Sequence, residues 1–269
     1  MFGKLIKYDF RSYFKSLLPV WGAILVLAVI NGFTLRRGDI PSVEGFNAFF
    51  TFVLPLMLFI CSFVAMGVIT LVLIIQRFYQ GLLGSEGYLM FTLPVSRSQL
   101  IGSKLTVSVV VQLISGLVIC LAGLILGVLL GREQFLSFIP EAFSFIRDLF
   151  KEEPRESWAA VLIILEVLVL GLSSTAGNAL HLYAAMSLGH LSRKQRVAAS
   201  VLAWVGLNIV VTNLGGRVLS RLVDVDYNWM NTPKDFMLLL LVLILSALLL
   251  DAIYWAVSEW ILKKKLNLE

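Results

Sequence analysis

The stretch FNAFFTFVLPLMLFICSFVAMGVITLVLII, residues 46–75, runs without a single charged side chain. The segment QRFYQGLLGSEGYLMFTLPVSRSQLIGSK, residues 76–104, follows it directly. Crossing a hydrocarbon layer of about 30 Å takes about 20 apolar residues. Residues 46–75 exceed that length, so they predict a transmembrane helix that tilts, bends at Pro55 or projects from the membrane.

The same reading applied outward gives six spans: residues 17–33, 46–75, 105–130, 158–188, 197–214 and 236–262. Across the 269 residues, 59% are hydrophobic and only 14% charged, against about 25% charged in soluble domains. The fold class is therefore all-α, a polytopic membrane protein organised as one transmembrane domain over residues 1–269. The formal charge of +5 does not indicate a nucleic-acid partner, because basic residues in such chains mostly set orientation.

Residues 1–16 predict a basic amphipathic helix in the membrane interface. Phe2, Leu5, Ile6, Phe10, Tyr13, Phe14 and Leu17 share one face, with Lys4, Lys7, Arg11 and Lys15 mostly on the other. Lys and Arg also assign sidedness. Thirteen fall in segments on the side of the termini and of residues 76–104, and nine on the opposite side; among acidic residues the balance is three to eleven. Both termini and the 76–104 loop are therefore expected in the cytoplasm. The outer loop 131–157 has apolar residues at helical spacing over 139–150, predicting a short helix on the outer face. A second short interfacial piece is expected within 215–235.

The 76–104 loop is unlike a plain connection. Phe78, Tyr79, Leu82, Leu83, Tyr88, Leu89, Met90 and Phe91 surround a lone carboxylate, Glu86, with glycines at 81, 84 and 87. Ser96-Arg97-Ser98-Gln99 has the S-x-x-Q pattern of a helix N-terminus. A short glycine-bounded helix over 85–91, an extended 92–95 and then a new helix are expected.

Chemistry-bearing motifs are few. No phosphate-binding loop exists, since Gly102-Ser103-Lys104 lacks the upstream glycine, so no ATP site and no catalytic residues are expected in this chain. His181 and His190, the only two histidines, read as structural, and no metal site is expected. Cys61 and Cys120 lie within spans and read as small packing residues. No cleavable leader is expected.

Glu166, Asp251 and Glu259 are the acids inside spans. There a charge costs at least about 2.5–3.5 kcal/mol at the centre. Glu259 is expected to pair with Lys263 one turn on. Glu166 and Asp251 are either structural hydrogen-bonding groups or groups that serve translocation or gating. Asn178, in the polar run Ser173, Ser174, Thr175, Asn178, His181, joins them as a candidate facing another helix or a cavity. Gly123, Gly127 and Gly131 form G-x-x-x-G-x-x-x-G and are candidates for helix packing, within the subunit or between copies.

The stretch Arg77-Phe78-Tyr79, then 84–96 (GSEGYLMFTLPVS), Leu100 and Ser103-Lys104 resembles the loop after the second helix in permease subunits of ATP-binding-cassette (ABC) transporters. The six-span plan resembles the bacterial exporter type, ABC-2. The sequence likeness lies mainly in the loop, and the outer insertion 131–157 adds nothing about substrate.

The resemblance implies a coupling helix resting on a separate cassette ATPase, made by Ser85, Glu86, Gly87, Tyr88, Leu89 and Phe91. Glu86 would be its polar anchor, with Tyr88 and Phe91 as apolar ones. It further implies ATP and Mg²⁺ on that partner rather than on this chain, a second permease copy (identical or paralogous), and export across a bacterial plasma membrane. The alternative is a proton-coupled carrier, with Glu166 and Asp251 as relay groups, or a non-transporting membrane scaffold. No inverted repeat between the halves supports the carrier.

Overall fold

A computed structural model describes residues 2–36, 49–84, 95–131, 154–192, 195–223 and 233–264, with Ser137, Pro140, Glu141 and Ser144 between them. These residues form six long helices and no strand: α1 (Phe2–Arg36), α2 (Leu54–Phe78), α3 (Arg97–Leu130), α4 (Pro154–Gly189), α5 (Arg196–Val223) and α6 (Pro233–Lys264). Each is long and apolar enough to cross a membrane. Their outward faces carry large apolar side chains, such as Leu117 at 63%, Leu168 at 63%, Leu202 at 71% and Leu249 at 60% exposure. Water would not tolerate so much apolar surface on one soluble chain. The chain is a multi-pass membrane protein.

Local signals explain several helix ends. Pro154 and Pro233 occupy the first position of α4 and α6, where a missing N–H removes no hydrogen bond. In α6, Asp235 lies in the first turn and Lys263 and Lys264 in the last, each complementing the helix dipole. At the start of α3 the capping box forms. The Gln99 N–H donates to Ser96 Oγ (3.3 Å), and the Ser96 N–H donates to Gln99 Oε1 (3.1 Å).

Two prolines are accommodated within long helices. The expected interfacial helix and the first span form one unbroken helix, with Pro19 inside it. Membrane helices accommodate proline because neighbours re-satisfy the freed backbone groups. Pro55 is the second residue of α2, directly after a π-helical turn at Phe49–Val53. It marks a change of helical pitch at the start of α2.

The chain divides into two compact units: Met1–Ile6, Ile74–Val109 and Leu149–Glu269, and Lys7–Leu73 and Val110–Asp148. In the second, Tyr13, Leu17, Trp21, Ile24, Ala28 and Asn31 make a buried stripe on α1 at three- and four-residue spacing. Trp21 Nε1 donates to Ser115 Oγ of α3 at 3.1 Å. Asn31 Nδ2 donates to the carbonyls of Leu27 (2.8 Å) and Pro55 (3.0 Å). Gly32 lets α1 approach α3, since a Cβ there would lie 2.7 Å from Leu129 Cβ. In the first unit α4 is central, packing most extensively on α6 and next on α5.

Of the outer loop 131–157, Ser137, Pro140, Glu141 and Ser144 are helical, and most of the expected short helix lies outside the described residues. Toward 215–235, α5 continues to Val223. Cys61 and Cys120 are free thiols on exposed faces.

Candidate functional site

The polar side chains of the first unit converge on one face of α4. Glu166, Ser173, Gly177 and His181 are separated by seven, four and four residues, spacings that keep them on one side of a helix. Opposite them on α6 stand Asp251 and Tyr254, and beside them on α5 stand Trp204 and Asn208.

Ser173 Oγ donates to Asp251 Oδ2 at 2.8 Å. Gly177 provides the room, because a Cβ there would lie 2.6 Å from Asp251 Oδ1. One turn further, His181 Nδ1 lies 3.0 Å from Tyr254 Oη and His181 Nε2 lies 3.1 Å from Asn208 Nδ2. Trp204 meets the imidazole edge-on, at 6.3 Å and 88°. Below Tyr254, Ser258 Oγ donates back to the Tyr254 carbonyl at 2.8 Å. Three helices are thus tied by polar contacts inside their spans, where such a bond contributes about 0.6 kcal/mol on average and up to about 1.7.

Gly177→Ala is expected to push Asp251 off Ser173 and to cost about 1 kcal/mol, since the carboxylate can swing aside. Adding Ser173→Ala should then cost almost nothing more, because both changes remove one contact. Unfolding of the single and double variants in mild detergent reads this non-additivity.

The other candidates from the sequence stand apart. Glu166 is half-buried, and its Oε2 has no hydrogen-bond partner. It lies seven residues from Ser173, about 10 Å along the axis. Asn178 is exposed. A Cβ on Gly123 would meet nothing within 4 Å, while the Gly131 N–H donates to the Gly127 carbonyl at 3.2 Å within the chain's own turn. Ser85, Glu86, Gly87, Tyr88, Leu89 and Phe91 lie outside the described residues.

The ends of the 76–104 loop are described, and they are fastened. After α2, a π-helical turn at Tyr79–Leu83 ends at an extended Gly84. Phe78 stacks on Tyr183 of α4 at 4.0 Å and 10°, and Tyr183 Oη shares a 2.9 Å hydrogen bond with Ser108 Oγ of α3. Phe78, Tyr183 and Ser108 are all fully buried. Tyr79 meets His190 edge-on at 6.4 Å, and Gly81 leaves space for the Lys104 ammonium. Burial, with the Arg196 charge as the lesser cause, holds the His190 imidazole below its ordinary value. At the far end, Ser98 Oγ donates to Glu259 Oε1 at 2.6 Å, and Glu259 pairs with Lys263 one turn on.

In the sequence Asp251 and Glu259 stand out as acids within spans, whereas Tyr254 and Asn208 do not and His181 reads as structural. The available signal was periodic: Asp251, Tyr254 and Ser258 recur at three and four residues on α6, and Ser173, Gly177 and His181 at four and four on α4. Among the described residues no group of three or more His, Cys, Asp or Glu side chains could hold a metal. Comparison of the chain with protein-family models, with curated proteins and with solved structures finds no match.

Proposed function

We infer that the chain is the membrane-spanning permease subunit of an ATP-driven exporter of the ABC-2 kind, working with a separate cassette ATPase and a second permease copy. The observation that carries this reading is the fastening of the 76–104 loop. Its sequence has the aromatic-rich, single-carboxylate character of a docking segment. One end is stacked onto α4 through Phe78 and Tyr183, and the other is bonded to α6 through Ser98 and Glu259.

A push on residues 85–91 would therefore reach the two helices that carry Ser173, His181, Asp251 and Tyr254. In this mechanism ATP and Mg²⁺ belong to the partner. Glu86 anchors the coupling segment, Tyr88 and Phe91 fill its groove, and Ser85, Gly87 and Leu89 complete the contact. The excess of Lys and Arg supports a cytoplasmic position for this loop and both termini.

Purification of the tagged chain in mild detergent is expected to bring down a cassette ATPase. Glu86→Ala should weaken that association by about tenfold or more, the loss of a central interface anchor, while membrane insertion stays intact. Repeated purification without an ATPase, with function unaffected by ATP depletion, overturns the reading.

One observation favours a second reading. The Ser173–Asp251 and His181–Tyr254 pairs lie together inside the spans, as a proton-coupled carrier would require. Uptake into vesicles driven by a proton gradient without ATP, abolished by Asp251→Asn, would select it.

A further inference from the structure

One face of α4 carries polar groups that the chain itself leaves without partners. Ser174 and Asn178 are exposed, and among the described residues neither side chain makes a hydrogen bond. Both lie within three residues of Thr175, the middle of the apolar span Val161–Gly189. Other span asparagines behave differently: Asn31, Asn208 and Asn213 each donate to the carbonyl four residues back. Hydrocarbon offers an amide nothing to bond, so Asn178 is costly in mid-span until a polar group meets it.

The residues around it form a seam. Ile164, Val167, Gly171, Ser174 and Asn178 are all exposed and recur at three, four, three and four residues. That is the a/d spacing of a left-handed helix pair, with Ile164, Gly171 and Asn178 at a and Val167 and Ser174 at d. At about 100° per residue, the seam lies roughly a quarter turn from the face that sets Ser173 and Gly177 against Asp251. A Cβ on Gly171 would meet nothing within 4 Å, so no helix of the same chain uses that room. Small residues let two membrane helices approach closely enough for polar side chains to bond across.

We propose that this seam is where a second copy of the chain docks, α4 against α4, about a two-fold axis along the membrane normal. The five seam residues carry no charge, so they call for neither a basic nor an acidic partner. A carboxamide has both donors and an acceptor, and across a two-fold axis each Asn178 supplies what the other lacks. The Ser174 hydroxyl is self-complementary in the same way. A lone asparagine at an a position also fixes register and copy number, since any slip sets the amide against an apolar side chain. The contact rests on the two-copy part of the reading above, makes that copy identical, and requires nothing of the ATPase.

The test uses the full chain diluted in lipid vesicles, with single-molecule photobleaching to count copies. A dimer is expected. Asn178→Leu keeps a side chain of similar size and removes its hydrogen bonds; it should weaken the pair by about 3- to 20-fold, the range for bonds between membrane helices. Gly171→Leu should weaken it by about tenfold or more through overpacking of the crossing. Gly206→Leu on α5, where a Cβ also meets nothing within 4 Å, should leave it unchanged. In native membranes, with Cys61 and Cys120 replaced by alanine, Ser174→Cys should form a disulfide between copies, which needs Cα atoms about 4.4–6.8 Å apart. Leu249→Cys, on the exposed face of α6, should not. Monomers at every protein-to-lipid ratio, or a dimer unmoved by both Gly171→Leu and Asn178→Leu, overturn the proposal. So does Ser174→Cys that links to a different protein, or that reacts with a membrane-impermeant maleimide as fast as a loop cysteine, which would put the seam on a water-filled path. An intact α4 pair with no cassette ATPase supports this contact and counts against the ATPase coupling alone.

Discussion

Gly189→Ala is expected to destabilise the protein by about 3 kcal/mol, the upper end of the range for overpacking by one methyl group. The added Cβ would fall inside contact distance of Ser200 Oγ, N and Cα. Two of those atoms are backbone, so no rotamer change at Ser200 relieves the clash, and α4 and α5 must separate. The turn cannot give freely either. The His190 N–H donates to the Met186 carbonyl at 3.0 Å, and the Ser192 N–H donates to the Gly189 carbonyl at 3.1 Å. Gly206→Ala is the matched control on α5, because a Cβ there meets nothing within 4 Å. It should be neutral or stabilising by up to about 1 kcal/mol, the gain in helix propensity from glycine to alanine. Unfolding in mild detergent, followed by helical circular dichroism, compares the two. Equal stability of both variants would mean that α4 and α5 do not meet at Ser200.

The contrast between Gly189 and Gly206 also shows which parts of this fold were legible in the sequence. The six spans were legible because hydropathy is a sum over neighbours in the chain, and a lipid-facing helix needs nothing else. The capping box at Ser96 and Gln99 and the Glu259–Lys263 pair were legible for the same reason, since their partners lie three or four residues apart. Close approach is different. The repeat of Gly123, Gly127 and Gly131 is conspicuous in the sequence, yet Gly123 faces open space, while Gly32, which has no such pattern around it, lies against Leu129. A glycine marks a missing side chain; whether another helix fills the gap is decided by the crossing geometry of distant segments.

The polar contacts divide in the same way. Asp251 drew attention because an acid in a span is costly alone. Its partner Ser173 is 78 residues away, and serine in a membrane helix can always bond its own backbone. Tyr254 and Asn208 carry no charge, so composition does not flag them. Only their meeting at His181 gives them a role. The unbroken run of α1 through Pro19 was hidden for another reason. The basic, amphipathic first sixteen residues and the apolar stretch after them differ in composition, but composition changes along a helix without breaking it.

Tyr183→Ala is expected to have the second large effect, destabilising the protein by about 2–4 kcal/mol and loosening both flanks of the 76–104 loop. The side chain is fully buried. Its removal forfeits the stack on Phe78, about 1 kcal/mol for a well-placed ring pair, and the Ser108 hydrogen bond, about 1 kcal/mol inside a membrane protein. It also leaves a ring-sized void whose lining loses its dispersion contacts. The transfer term that makes such truncations costlier in soluble cores is reduced here, because the unfolded reference stays largely in lipid. Tyr183→Phe separates the parts: it keeps the ring and the stack, removes the hydroxyl, and should cost about 1 kcal/mol, the penalty of leaving Ser108 without that bond.

Hydrogen exchange then distinguishes a local fastening from general stability. In Tyr183→Ala the amides of residues 79–84 should exchange faster by a larger factor than those of α6. In Tyr183→Phe they should remain near the wild-type rate, because Phe78 still rests on the ring. If the variants instead loosen α6 and residues 79–84 equally, Tyr183 is a general core residue, and a force on the loop would not reach α4 through it. If the loosening is local, the stack is the rigid joint that a docked partner would push against.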